Sequence, residues 1–312
     1  MSTRATGGVI LDEVTSESGA TGQGDMQIGN GRTCLIGLVG RGIQRSKSPA
    51  MHQHAADALG LRCVYQLIDL NVLGLSLDDL PRVLESAELM GFAGLNVTHP
   101  CKQAVIPLLD ELSEEARTIG AVNTIQLKAG KRCGFNTDAY GFAESFRRGL
   151  PDAPLSRVLQ IGAGGAGAAT AYALLKLGAE SLCLFDTQPD RATALASNLG
   201  GTFGPGRIRV TNDLASEVAQ AQGLVHATPV GTLEHPGMPL PATLLRPDLW
   251  IAEIVYFPLE TGLLRAARAT GCRTLDGGGM AVFQAAAAFE IFTGLKADGE
   301  RMMRLFDSIP GD

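Results

Sequence analysis

The sequence predicts an α/β protein made of two α/β units, the first around a mixed sheet and the second around a mostly parallel sheet with helices on both faces. Three observations carry that expectation. Apolar runs of strand length alternate with runs of helix length from Cys34 to Phe292. A glycine-rich stretch, Gly162-Ala163-Gly164-Gly165-Ala166-Gly167, stands between one such strand and one such helix. The chain has 312 residues, 45% apolar and 19% charged, which suffices for one large or two medium cores.

Taken in order, Met1 to Thr33 is polar, glycine-rich and without an apolar core segment, so a loosely attached leader is expected there and no signal peptide. Cys34–Val39 reads as a strand ended by Gly40 and Gly42. Ser48-Pro49 reads as a helix start, because a serine hydroxyl can cap free amides and proline suits the first turn. That helix runs through Leu59. Cys63–Leu70 is a strand, since Val64, Tyr65, Leu67 and Ile68 favour extended packing. Asp79–Met90 is a helix, Phe92–Val97 a strand, and Lys102–Thr118 mostly helix, delayed or bent at Pro107. Gly120–Leu127 and Arg132–Phe135 complete the first unit. In the second, strands at Ser156–Gln160, Ser181–Asp186, Arg207–Thr211, Gly223–Ala227 and Ile251–Val255 alternate with helical segments, among them Ala166–Leu177 and Pro189–Leu199. The alanine-rich helix Met280–Phe292 stops before Gly294 and is expected to return to the first unit. The expected division is a leader at 1–33, a first unit at 34–137 plus 274–312, and a second at 138–273.

Composition excludes several classes. Net charge is -6, and no basic stripe is present, Arg147-Arg148 being only a pair and Arg301 and Arg304 being separated by two methionines, so no nucleic-acid partner is expected. The uncharged stretch from Val158 to Leu175 approaches the length of a membrane span, but its glycines break it into strand, turn and helix. No membrane association is expected. The six cysteines fit neither a Cys-x-x-Cys site nor a zinc spacing, and read as reduced thiols of a cytoplasmic protein. His52 and His54 point different ways on a helix, so no shared metal is expected there, nor any metal elsewhere. A monomer or homodimer is expected.

The glycine stretch fits G-x-G-x-x-G after a strand and opening a helix. Gly162 allows the tight turn, Gly164 the approach of a pyrophosphate, and Gly167 close packing of helix on sheet. Ala163, Gly165 and Ala166 complete the loop, whose free amides can hold phosphate. Asp186 ends the next strand, 24 residues after Gly162, and suits the ribose diol of NAD, where it would repel a 2′-phosphate. It also fits a helix-starting carboxylate. Arg191 offers contact with adenine or phosphate, or is a solvated helix residue. NAD is preferred, with NADP use possible.

Several blocks resemble the shikimate/quinate dehydrogenase family and follow its order across nearly all of residues 34–294. They are Ser46-Lys47-Ser48-Pro49, Asn96-Val97-Thr98-His99-Pro100-Cys101-Lys102, Gly120-Ala121-Val122-Asn123-Thr124, Asn136-Thr137-Asp138, Ala227-Thr228-Pro229-Val230-Gly231, Ile254-Val255-Tyr256, Pro258-Leu259, and Asp276-Gly277-Gly278-Gly279-Met280 through Gln284. The resemblance implies a substrate-binding first domain, a Rossmann-like dinucleotide domain, and hydride transfer that interconverts shikimate and 3-dehydroshikimate or oxidises quinate. It implies Lys102 and Asp138 as the catalytic pair. It places Ser46, Ser48, Asn96, Thr98, Asn123, Tyr256 and Gln284 at the substrate, and Ala227, Thr228, Pro229, Val255, Gly279 and Met280 beside the cofactor.

That chemistry needs an acceptor for the hydroxyl proton while hydride leaves the alcohol carbon. A lysine can move the proton and stabilise negative oxygen, and Asp138 can hold it in place. Two departures from the family pattern bear on the cofactor. Asp186-Thr187-Gln188 stands where NADP users carry Asn-Arg-Thr, which removes a phosphate clamp. Phe257-Pro258 stands where Asn-Pro is common. Ser48 matches shikimate-directed members, quinate users often having threonine. A mainly quinate-directed enzyme and a noncatalytic dinucleotide sensor are the alternatives.

Overall fold

Two six-stranded sheets organise residues 33–309, the part of the chain that the computed structural model describes. The expected leader lies outside the described residues, Thr33 excepted. In chain order the first unit runs β1 (Thr33–Gly40), α1 (Ser48–Ala58), β2 (Arg62–Asp69), α2 (Leu80–Leu89), β3 (Gly94–Val97), α3 (Cys101–Ala104), β4 (Glu111–Leu112), α4 (Glu114–Ile119), β5 (Thr124–Lys128) and β6 (Lys131–Phe135). The helix α5 (Asp138–Gly149) leads into β7 (Arg157–Ile161), α6 (Gly165–Lys176), β8 (Ser181–Phe185), α7 (Pro189–Phe203), β9 (Ile208–Val210), α8 (Leu214–Gln220), β10 (Gly223–His226), β11 (Trp250–Glu253), α9 (Gly262–Thr270) and β12 (Arg273–Leu275). The chain closes with α10 (Gly278–Thr293) and α11 (Gly299–Ser308).

The first sheet has the order β2-β1-β3-β5-β6-β4. It is mixed, because β5 runs antiparallel to both β3 and β6. The second, β12-β11-β10-β7-β8-β9, is parallel throughout. Its strand order reverses between β7 and β10, and ligands of such sheets bind beyond the strand ends at that point. The glycine loop after β7 and the Ala227 segment after β10 both lie there.

Two local readings are corrected. The segment Lys102–Thr118 is not one helix: α3 lasts one turn, β4 pairs with β6, and α4 restarts after Ser113, whose hydroxyl accepts from Ala116 N. Pro107 lacks the amide that a continuing helix requires, and Ser113 supplies a fresh cap. Nor does Ser48 cap α1. The Ser46 hydroxyl accepts from Ser48 N at 3.2 Å instead.

α10 does return to the first unit. Met51, Ala55 and Ala56 of α1 share a buried cluster with Ala281, Val282, Ala285 and Phe289. Ala288 and Phe292 join Ile36 and Leu38 of β1. Beside it, α5 makes a close crossing: a Cβ on Gly141 would lie 2.6 Å from Met280 O and 2.8 Å from Gln284 Cβ. Glycine lets the two backbones approach there.

Candidate active site

Lys102 comes from the single turn of α3 after β3, and Asp138 opens α5. Asn136 fixes the second: its Oδ1 accepts from Asp138 N and Ala139 N at 3.1 and 3.3 Å, and its Nδ2 donates to Ala121 O at 2.9 Å. Lys102 Nζ then meets Asp138 Oδ2 at 2.5 Å, with the side chains only 18% and 8% exposed. The other oxygen, Oδ1, accepts from Asn123 Nδ2 at 2.9 Å. With both oxygens held, the carboxylate fixes the position of Lys102 Nζ.

A polar chain continues from this pair. Thr124 Oγ1 contacts Asn123 Oδ1 at 3.0 Å and accepts from Asn96 Nδ2 at 3.2 Å. Asn96 Oδ1 accepts from Tyr65 OH at 2.9 Å. Gln284 Oε1 lies 3.5 Å from Asn123 Nδ2 and from Thr137 Oγ1, which ties α10 to the same cluster. Thus Lys102, Asp138, Asn123, Asn96 and Gln284 join one network. Ser48, Thr98 and Tyr256 stand outside these bonds. Thr98 packs against Gly40. The Tyr256 ring, partly exposed, lies 6.3 Å from that of Phe306.

The Ser46–Ser48 loop is held from two sides. Asp69 accepts from Gly42 N, Ile43 N and Gln44 Nε2 at 3.0–3.1 Å. Lys47 Nζ donates to Phe306 O and Ile309 O at 3.3 and 3.0 Å, beside α11. Arg45 stacks over the Phe257 ring at 5.7 Å. The phenylalanine therefore links this loop to the segment that follows β11. His99 is exposed. His52 is buried and His54 receives a hydrogen bond from Arg301, so the two do face apart.

On the cofactor side, Gly162 has φ +107, a conformation that favours glycine. Gly164 is extended, its missing Cβ would meet nothing within 4 Å, and α6 starts without a side-chain cap. Open space in front of free helix amides fits a pyrophosphate. Asp186 Oδ2 accepts from Ala163 N and Oδ1 from Gln188 N, both at 2.8 Å, so its carboxylate is anchored at the loop and keeps lone pairs for a diol. Arg191 is exposed on the first turn of α7. A Cβ on Gly165 would sit 3.6 Å from Lys102 Cδ, which places the loop against the lysine stem. Ala227, Val255 and Met280 are buried, Thr228 partly so and Pro229 exposed. Gly279 packs on Ser145.

Sequence reasoning missed several supporting groups. Gln160, fully buried, donates to Gly162 O and Gly167 O at 2.8 and 2.7 Å and accepts from Thr170. His226 and Glu253 form a second buried pair. The available signal was a polar residue inside or at the end of an apolar strand, as in Val-Leu-Gln-Ile, Gly-Leu-Val-His and Trp-Ile-Ala-Glu.

Residues 38–125 match the model of the shikimate dehydrogenase substrate binding domain, and residues 277–305 that of the shikimate 5'-dehydrogenase C-terminal domain. A shikimate dehydrogenase (NADP(+)) of Streptomyces avermitilis is 55% identical over 86% of this chain and 93% of its own. The chain belongs to the shikimate/quinate dehydrogenase family. Another member, the quinate/shikimate dehydrogenase (NAD(+)) of Corynebacterium efficiens, is 46% identical over 90% of this chain and 100% of its own. Quinate dehydrogenase from Corynebacterium glutamicum, solved in complex with NAD, superposes with a TM-score of 0.84 at 44% identity, covering 89% of this chain and 99% of that one. Members bearing either dinucleotide in their names are thus similar to this chain, which carries the family and a dinucleotide fold but leaves the choice of dinucleotide to the site. Among the described residues, no helix is long and apolar enough to cross a membrane and no cluster of metal-ligating side chains occurs.

Proposed function

We propose that this member of the family is an NAD-preferring dehydrogenase that interconverts shikimate and 3-dehydroshikimate, with some oxidation of quinate. The observation that carries the reading is the Lys102–Asp138 pair, held at 2.5 Å beside the glycine loop. Bound nicotinamide supplies a hydride acceptor or donor at its C4. Lys102 takes the hydroxyl proton as the alcohol is oxidised and returns it as the ketone is reduced. Asp138 and Asn123 hold the amine on the reacting oxygen, and the ammonium stabilises negative charge there. Ser46, Ser48, Asn96, Thr98, Asn123, Tyr256 and Gln284 serve the ring hydroxyls and carboxylate. A site with that many committed polar atoms rejects rings that leave them unpaired. Asp186 supports NAD, because an added 2′-phosphate would face a carboxylate.

A four-way steady-state assay, shikimate or quinate with NAD or NADP, tests this reading. Shikimate with NAD is expected to give the highest kcat/KM. Equal or better efficiency with quinate reverses the substrate preference, better turnover with NADP removes the role of Asp186, and NAD binding without any turnover favours a sensor. Lys102→Ala is expected to lower kcat by about 10²–10⁴-fold, the range of general acid–base catalysis, with dinucleotide affinity kept.

A further inference from the structure

His226 and Glu253 take no part in the chemistry above. They end β10 and β11 in direct register, and both side chains are 0% exposed. Burying charge or an imidazole is unfavourable unless every polar atom finds a partner, and here each does. His226 Nδ1 lies 2.9 Å from both Glu253 oxygens. A carboxylate only accepts, so Nδ1 carries the hydrogen. Nε2 lies 2.5 Å from Thr228 Oγ1, which also accepts from Val230 N at 3.2 Å. Glu253 in turn accepts from Val255 N at 3.0 Å and from Thr261 Oγ1 at 3.1 Å. Thr228 is thereby locked, its hydroxyl on the imidazole and its methyl toward Gly162, where an added Cβ would come within 2.9 Å of Cγ2.

The partners of this pair sit mostly in two loops rather than in the sheet interior. One is the Thr228–Gly231 turn beside the glycine loop. The other is Ile254–Tyr256, which carries a residue of the substrate set. We propose that His226 and Glu253 are positioning residues, a buried strut that sets the spacing of these two loops and so the wall where a nicotinamide dinucleotide meets the ring acid. The strut rests on the dinucleotide-dehydrogenase reading above. Its chemistry is one of orientation: the imidazole, tied to Glu253 through Nδ1, presents Nε2 to Thr228 Oγ1 and holds that hydroxyl in one rotamer.

Thr228→Val, Thr228→Ser and Glu253→Gln in the full chain test it. Histidine ring NMR of the ligand-free protein is expected to show His226 with hydrogen on Nδ1 and a changed ring signal in Thr228→Val. Calorimetric NADH affinity is expected to fall about tenfold in Thr228→Val, the equivalent of one hydrogen bond's geometry, with KM for dinucleotide rising alike, and to recover in Thr228→Ser. Glu253→Gln is expected to weaken NADH binding and also raise KM for the ring acid, through Tyr256. A folded Thr228→Val with wild-type NADH affinity overturns the proposal, as does a ring with hydrogen only on Nε2. Where Glu253→Gln does not fold, the two threonine variants decide alone. A wild-type protein that binds NADH but turns over neither shikimate nor quinate defeats the proposed function, while the NMR and affinity measurements still judge the strut.

Discussion

At the scale of single residues, the site depends on carboxylates that serve as fixed acceptors, and Asp69 shows the consequence for stability. Burial by itself would raise its pKa, but donors from Gln44, Ile43, Asn71 and Gly42 together outweigh that and hold it below the ordinary aspartate value. A folded-state pKa below the unfolded one gives stability that is complete above the unfolded value, about 3.9, and is lost as pH falls through the folded one. Asp69→Asn is therefore expected to lower unfolding free energy by about 1–3 kcal/mol at pH 7. The gap to the native sequence should shrink below about pH 4. Denaturant titrations at neutral and acid pH read both numbers; an equal gap at low pH would mean that the hydrogen bonds do not depend on the charge. The same variant loosens the loop leading to Ser46, so KM for the ring acid should rise. Nothing in the local sequence flags Asp69. It ends an ordinary strand, and its role exists only because β1 and β2 lie in register, with Gly40 opposite it. Lys102 and Asp138 were legible because their blocks carry a family pattern, whereas their bond joins residues 36 apart that only the fold brings together.

Elements were legible where one physical signal was dominant. Alternating apolar strands and alanine-rich helices gave β1, β2, β7, β8, α6 and α10 within a residue or two. The stretch between Lys102 and Thr118 was read as one helix bent at Pro107 because its length hides a two-residue strand and a new serine cap. The most consequential omission is α11, which follows Gly294 and lies beyond the blocks that carry the resemblance. Its amphipathic face buries Met302 and Phe306, with Asp298 capping its start. Phe306 O and Ile309 O receive Lys47 Nζ, and the Phe306 ring lies 4.2 Å from that nitrogen. The lysine between Ser46 and Ser48 is thus anchored by carbonyls near a helix C-terminus, where a cation is favoured. Burial lowers its pKa and Asp307 opposes that shift. Lys47→Met keeps the apolar stem and deletes these bonds. KM for the ring acid is expected to rise about three- to tenfold, the loss of roughly one or two hydrogen bonds, while NADH affinity stays at the wild-type value. Steady-state kinetics with each substrate varied separately decides it: an increase in the dinucleotide KM alone would place the lysine's effect elsewhere.

The whole molecule couples these parts because one core is shared by both units, beside clusters that belong to each sheet alone. One buried cluster runs from Ile119 and Ala121 of the first unit through Phe142 and Phe146 of α5 to Val158, Leu182 and Trp250 of the second sheet, and includes Met280 of α10. Unfolding either unit would expose the shared face of α5 and α10, so a single cooperative transition is expected. Binding in the cleft then stabilises the entire chain by mass action, about 2.7 kcal/mol when free dinucleotide is a hundred times its Kd. At about 2 °C per kcal/mol for a chain of this size, that is a rise of roughly 5 °C in Tm. NAD is expected to give it, and NADP at the same concentration a smaller one, because a 2′-phosphate must be brought beside the Asp186 carboxylate. Asp186→Asn retains the shape of the side chain and removes its charge. It also weakens the acceptor that holds Ala163 N and Gln188 N, so the ligand-free Tm should drop a little for both comparisons alike. The informative quantity is the difference between the NAD and NADP shifts, which should narrow or change sign in the variant. If that difference is the same with and without the charge, discrimination at this end of the cleft comes from shape, and the aspartate serves only the loop it anchors.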